Sequence, residues 1–290
     1  MRPLRYTGSL HRRAQAAGMP GLMLALRYVL LLLVALVSLF PFLWALSVAL
    51  STDPSGLWLF PQAFWPRNVG LFWFGRVLHE MPFWTYLKNS LLLSLTTVFA
   101  TLLLAIPAGY ALAQMTFWGR RLVFVLLLAT MMVPMEVGIV PNFLTLSALG
   151  WIGSYVSAVL PNIASAFGVF LMKQYFEGLP TEVLEAARVD GANEWQVLWR
   201  IAVPMSLPAV AALTIFTWVA AWNDYLWPSI VLNDRLKMPL SVGIFNDLTG
   251  PFATSTSMVM AAIVLALVPI MLCFAFTQRW FLAGVMESRA

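Results

Sequence analysis

The chain has 290 residues, of which 61% are hydrophobic and 10% charged, with a formal net charge of +5 and a mean hydropathy of +0.84. Soluble domains carry about 25% charged residues, so a surface this poor in charge belongs in lipid, and an ordinary soluble domain is excluded. The basic residues sit between apolar runs, which excludes a nucleic-acid-binding face; Cys273 has no partner for an internal disulfide, and with His11 and His79 it makes no metal-ligand spacing.

Six apolar segments reach the length of about 20 residues that a helix needs to cross the hydrocarbon. The first, Tyr28–Ala49, follows Arg12, Arg13 and Arg27 but is longer than a signal-peptide core, so it reads as a retained span. A loop over 50–89 follows, rich in aromatics: Trp58, Phe60, Phe64, Trp65, Phe72, Trp73, Phe74, Phe83 and Trp84. It reads as an interfacial belt or as a docking face for an external partner. The next three spans are Ser90–Ala113, Leu122–Leu144 and Ser154–Met172. A loop over 173–204 leads to the fifth, Met205–Pro228, and a loop over 229–257 to the last, Met258–Trp280. Prolines 41, 107, 134, 161 and 269 fall inside five of the six, where a bundle tolerates them as kinks. With the N-terminus inside, only Arg67, Arg76, Lys88, Arg235 and Lys237 of the 17 Lys and Arg lie outside. The positive-inside rule therefore places both termini in the cytoplasm.

The loop over 177–204 is the most informative segment. Pro180 suits a helix's first turn and Gly191 a position just past its end, which predicts a helix of about two and a half turns between them. Glu185 and Arg188, three residues apart, are placed to pair along it. Ala186, Ala187 and Gly191 leave part of its surface nearly bare of side chains, open to close approach by another protein. Trp195, Leu198, Trp199 and Ala202 then fall at helical spacing and suit a stretch lying along the membrane surface. Pro204 and Pro208 bracket the start of the fifth span. The plainer alternative is a solvated linker with a chance helix, although a capped helix inside so long a loop is unusual.

Glu185-Ala186-Ala187, then Gly191, Ile201 and Val203-Pro204, keep the spacing of a known signature: Glu-Ala-Ala, three residues, Gly, nine residues, Ile, one residue, Leu-Pro. The segment thus resembles the cytoplasmic loop of permeases of binding-protein-dependent ABC importers. Val203 for Leu is the one departure. Asp190-Gly191-Ala192 is also similar, as are Asn89-Ser90, Pro134-Met135-Glu136 with Pro141, and the run Trp222-Asn223-Asp224-Tyr225-Leu226-Trp227-Pro228. Together they resemble the smaller permease of maltose and glycerol-phosphate type sugar importers over about residues 25–283. The ending after Gly284 departs from the family's usual Gly-Ala-Val-Lys-Gly.

The resemblance implies an all-α, polytopic type I ABC importer permease of a prokaryotic inner membrane. It divides into a cytoplasmic segment (1–27), a six-helix permease domain (28–283) and a tail (284–290). The 177–204 loop becomes the coupling loop, with Glu185, Ala186, Ala187, Asp190, Gly191, Ile201 and Pro204 as its ATPase-coupling residues. The implied partners are a second homologous permease, an ATPase dimer and an external solute-binding protein. The chain has no Gly-x-x-x-x-Gly-Lys-Ser/Thr loop to cradle a phosphate, so ATP and Mg2+ are expected on the ATPase and no cofactor on this chain.

Polar residues inside a membrane are functional candidates. Glu136, between Pro134 and Pro141, suits a wall of the translocation path or a structural hydrogen bond between helices. Trp222, Asn223 and Asp224 offer the ring, amide and carboxylate that a sugar face and its hydroxyls require, or alternatively an interfacial anchor. Asn89 has the same standing. A secondary transporter would need a midplane ion site and inverted repeats, and a membrane enzyme would need clustered His, Asp or Cys. The sequence shows neither.

Overall fold

The computed structural model describes residues 21–52, 65–66, 68–249 and 255–287. Trp58, Phe60, Phe64 and Arg67, most of the N-terminal segment (1–20) and the last residues of the tail (288–290) lie outside the described residues. The described part is helical. Its one β contact is an isolated antiparallel bridge between Ser51 and Val69.

Six spans are present, but only three are long single helices: α1 (Gly21–Leu50), α3 (Phe83–Gln114) and α13 (Thr256–Glu287). Pro41, Pro107 and Pro269 sit within them. A short helix, α2 (Phe72–Glu80), lies between the first two and pins its Trp73 indole N–H to the Ser51 carbonyl at 2.8 Å. Its Arg76 pairs with Glu80 one turn on. In the 50–89 loop Trp73 and Phe83 turn inward, whereas Trp65, Phe72 and Trp84 stay exposed.

The third and fourth spans are bent pairs, which corrects the expectation of single kinked helices, and the fifth meets the helix of the loop before it at a bend. The third divides into α4 (Arg120–Thr130) and α5 (Ile139–Ala148), with a 3₁₀ turn Met135–Gly138 between them and a bend of 95°. Pro134 heads that turn and has no N–H to continue the helical ladder. The fourth divides into α6 (Tyr155–Ile163) and α7 (Ala166–Glu177), bent by 42°. Pro161 weakens the end of α6, and α7 restarts with its own cap, the Ser165 hydroxyl accepting from the Gly168 N–H at 3.0 Å.

The helix of the 177–204 loop, α8 (Thr181–Val189), is followed by α9 (Glu194–Met205). A π turn over Leu198–Ala202 widens α9, and a bend of 80° leads into α10 (Leu207–Asn223). The fifth span therefore ends at Asn223 rather than Pro228, because Asp224 is extended and Trp227-Pro228 belong to a separate helix, α11 (Leu226–Val231). One more helix, α12 (Leu240–Leu248), precedes the last span.

Helix α3 is the centre of the bundle. It packs most extensively on α7, then on α10, α6 and α12. Its buried stripe runs through Ser90, Ser94, Thr97, Thr101, Ala105 and Gly109. Steps of three and four residues put these small side chains on one helical face, and small residues let membrane helices approach closely. At Gly109 an added Cβ would lie 2.7 Å from Met172 Cβ and 2.9 Å from the Lys173 nitrogen. One end of α3 packs into a cluster with Trp73, Tyr86, Trp218, Trp222, Leu240 and Met258. The other end joins Tyr110, Met172, Phe176, Leu184, Val197 and Leu213. By contrast α1 is apolar and exposed nearly all round, as a lipid-facing helix should be.

Candidate functional site

Helix α8 forms as its sequence suggests, from Pro180 at its start to Gly191 just past its end. Gly191 has φ +86, its N–H donates to the Arg188 carbonyl at 3.1 Å, and the Ala192 N–H reaches the Ala187 carbonyl at 3.0 Å. These two bonds are the Schellman arrangement, which needs a left-handed residue at this position. A Cβ at Gly191 would meet nothing within 4 Å, so the glycine answers to backbone conformation and not to crowding inside the chain. Glu182 in the first turn and Arg188 in the last suit the helix dipole.

One face of α8 is anchored and the other is free. Leu184 is buried, and Ala187 packs against the same cluster. Glu182, Glu185, Ala186, Asp190 and Gly191 are exposed, and Val189 stands 87% exposed. A surface of small residues, acids and two exposed valines, Val183 and Val189, therefore faces away from the bundle.

Arg188 does not pair with Glu185. Its Nε donates to Glu194 Oε1 at 2.9 Å, and Glu194 Oε2 accepts from the Tyr110 hydroxyl at 2.7 Å. Glu194 wins because the Schellman turn folds α9 back under Arg188 and because it brings a second donor. Hydrogen bonding from Arg188, then from Tyr110, holds the Glu194 carboxyl below its usual range, and Glu194 in turn raises Arg188. Among the described residues Glu185 makes no ion pair.

An Asn193–Gln196 capping box starts α9. Its four spaced residues do not share one face: Leu198 and Ala202 are buried, while Trp195 and Trp199 are exposed. The π turn accounts for this, because an extra residue per turn shifts the helical face. Ile201 is half-buried against the core, and Pro204 lies in the last turn of α9, with Ser206 as its C-terminal cap. The second half of the signature therefore shapes the chain path, and the outward surface belongs to the first half.

The membrane candidates are not brought together. Asn89 is buried, and its amide donates to the Leu236 and Met238 carbonyls at 2.8 and 2.9 Å and accepts from Tyr155 at 2.9 Å. Trp222 is buried, stacked on Trp218, with its indole N–H 3.2 Å from the Ala266 carbonyl. Asn223 is exposed and donates to the Val219 carbonyl one turn back. Asp224 is half-buried, and its carboxylate accepts from the Trp227 N–H at 3.3 Å. Glu136 is exposed in the 3₁₀ turn of the third span.

Sequence reading missed two polar clusters, of which only the Lys173–Glu177 pair, four residues apart on one helix, carried a local signal. Lys173, nearly buried, pairs with Glu177 at 2.7 Å and lies 4.1 Å from the Phe124 ring centre. Tyr86 donates to Asp247 at 3.0 Å, and Arg235 donates to both. Among the described residues no group of three or more His, Cys, Asp or Glu could hold a metal.

Residues 103–286 match the family described as binding-protein-dependent transport system inner membrane component. The chain belongs to this family. This inner membrane component is 36% identical over 203 residues to the arabinooligosaccharides transport system permease protein AraQ of Halalkalibacterium halodurans, covering 70% of this chain and 72% of AraQ. It is 34% identical over 268 residues to the sn-glycerol-3-phosphate transport system permease protein UgpE of Yersinia pestis, covering 90% and 95% of the two chains. Its fold matches a chain from the crystal structure of a bacterial ABC transporter involved in the import of the acidic polysaccharide alginate. That match has a TM-score of 0.78 and 27% identity, and covers 97% of this chain and all of the other. The inner membrane component is thus a multi-pass, all-α ABC importer permease, a transport subunit and not an enzyme.

Proposed function

We propose that this permease imports a sugar or oligosaccharide delivered by an external solute-binding protein, with α8 as the joint to a separate ATPase dimer that carries ATP and Mg2+. The arabinooligosaccharide permease among its relatives and the alginate importer among its structural matches support the substrate class. The observation that carries the coupling role is the Schellman-capped α8, anchored by Leu184 on one side and presenting Glu185, Ala186 and Gly191 on the other.

In this reading a second homologous permease completes the path, and both termini face the cytoplasm. Closure of the ATPase around its nucleotide would move α8 as a rigid body and rock the spans between inward-open and outward-open states. Glu185 would take a charge-assisted contact from an ATPase arginine or backbone N–H. Ala186 and Gly191 would permit close approach. Glu136, Asn223 and Asp224 would line the path; Asn89 and Trp222 would hold its walls in place.

The test is Gly191→Asp. We expect normal insertion and level, loss of ATPase co-purification and loss of uptake. Full association and full uptake would overturn the coupling role of α8. Uptake that persists in ATP-depleted vesicles under an ion gradient would point instead to a secondary transporter.

A further inference from the structure

The two polar clusters that hold the ends of α3 have the same construction. At one end the Tyr110 hydroxyl donates to Glu194 at 2.7 Å, and Arg188 reaches both, with 2.9 Å to Glu194 and 3.5 Å to Tyr110. At the other the Tyr86 hydroxyl donates to Asp247 at 3.0 Å, and Arg235 reaches both, with 2.9 Å to Asp247 and 3.1 Å to Tyr86. In each the tyrosine belongs to α3 and is buried. The acid and arginine both belong to a segment that crosses the helix end: α8–α9 at one side, and the Arg235 turn with α12 at the other.

Twenty-four residues separate Tyr86 from Tyr110, about 36 Å at the helical rise. Between them α3 continues as one helix through Pro107, while the third and fourth spans are bent. The fit of α12 to α3 is close: a Cβ at Gly243 would lie 2.2 Å from the Tyr86 ring. Ser90 also accepts from the Leu240 N–H at 2.7 Å. A rigid rod gripped at both ends by charge-assisted bonds is suited to carry displacement from one membrane face to the other.

We propose that α3 is the transmission element of this permease, coupling α8 on the ATPase side to α12 on the outer side through matched clamps, Tyr110–Glu194–Arg188 and Tyr86–Asp247–Arg235. The inference rests on the proposed docking of α8 to the ATPase. Each tyrosine is a positioning residue that acts through its clamp. The hydroxyl alone separates it from phenylalanine, so Tyr→Phe opens a clamp while keeping the ring packing.

The experiment uses the complete importer in proteoliposomes, with Cys273 replaced by Ser and a reporter cysteine at Asn246 on α12. Maleimide labelling of residue 246 is timed with and without MgATP plus vanadate. With intact clamps the nucleotide should change the labelling rate by about three- to tenfold. Tyr110→Phe or Tyr86→Phe alone should abolish that change, and the double variant should behave like either single one. If a Tyr→Phe variant does not accumulate, Glu194→Gln and Asp247→Asn take its place.

A second reporter, at Thr181 on α8, separates this inference from the reading beneath it. Nucleotide-dependent protection at 181 reports ATPase docking; its absence in the unaltered importer would sink the docking itself. Protection at 181 together with a full change at 246 in both Tyr→Phe variants would overturn the transmission role. So would the absence of any change at 246 with intact clamps, or losses that multiply in the double variant, because these are the marks of two independent fasteners.

Discussion

Gly109→Ala is the sharpest test of how the bundle is held together. Helix α3 meets α7 with no side chain between them at this point, and the new methyl would lie 2.7 Å from Met172 Cβ, 2.9 Å from the Lys173 nitrogen and 3.2 Å from the Met172 carbonyl carbon. Ordinary contacts between carbon atoms sit at about 3.5–4.0 Å. Two of these three neighbours are backbone atoms and the third is a Cβ, so no rotamer change relieves the clash. The helices must part by about 1 Å.

Overpacking of this kind costs about 1–3 kcal/mol, and a clash against backbone belongs near the top of that range. The gain in helix propensity from Gly to Ala returns about 1 kcal/mol, leaving a net loss of about 2 kcal/mol. Parting α3 from α7 also strains the 2.6 Å bond from Gln114 to the Phe176 carbonyl, just before the chain enters α8. The assay is reversible unfolding of the purified permease by SDS titration in mixed micelles. Gly75→Ala is the control, since a Cβ there meets nothing within 4 Å and should be neutral or slightly stabilising. If Gly109→Ala is as stable as Gly75→Ala, the close approach of α3 and α7 is wrong.

Three further outcomes are expected. The Glu194 carboxyl is held below its usual value by Arg188, so its contribution is present above the unfolded pKa, near the ordinary 4.5, and is lost as pH falls through the lower folded value. Melting temperature against pH should show Glu194→Gln less stable than the parent at neutral pH, with the gap closing in acid; a gap that widens there would refute the pairing. Single cysteines at Gly119, Thr181 and Asn246 in a Cys273→Ser background should label from outside only at 246, and labelling at 181 from outside would reverse the orientation. Glu136→Gln and Asp224→Asn should each raise the solute concentration needed for half-maximal uptake while the complex still assembles. Unchanged uptake in both would make them structural.

The number of spans and the limits of α8 were legible because both depend on local chemistry: apolar length, a proline at a helix start, a glycine at φ > 0. The breaks were not. Pro134 and Pro161 look alike to a sequence reader, yet one ends its helix in a 95° turn and the other sits beside a 42° bend. The difference lies in what packs around each. Local spacing also misdirected the pairing of Arg188. Glu185 is three residues away, but the chosen partner is Glu194, which reaches Tyr110 across a separation of 84 residues. Likewise Trp222 has the chemistry to stack on a sugar, and only the fold shows that its ring stacks on Trp218 and that its indole N–H reaches the Ala266 carbonyl of the last span.

The turn in the third span bears on how this subunit survives before it is assembled. Residues 131–137 leave the helical ladder within the depth of the membrane, and their side chains stand exposed. Peptide groups released from a helix find no partner in hydrocarbon, and such backbone persists only against protein or water. Here the N–H groups of Met131, Met132, Val133 and Val137 do find carbonyls within the turn, so what a copy inserted alone would offer lipid is chiefly the exposed Glu136 side chain, which protein or an aqueous passage must cover. If the proposed second permease provides that cover, copies left unpaired should be cleared from the membrane faster than assembled ones.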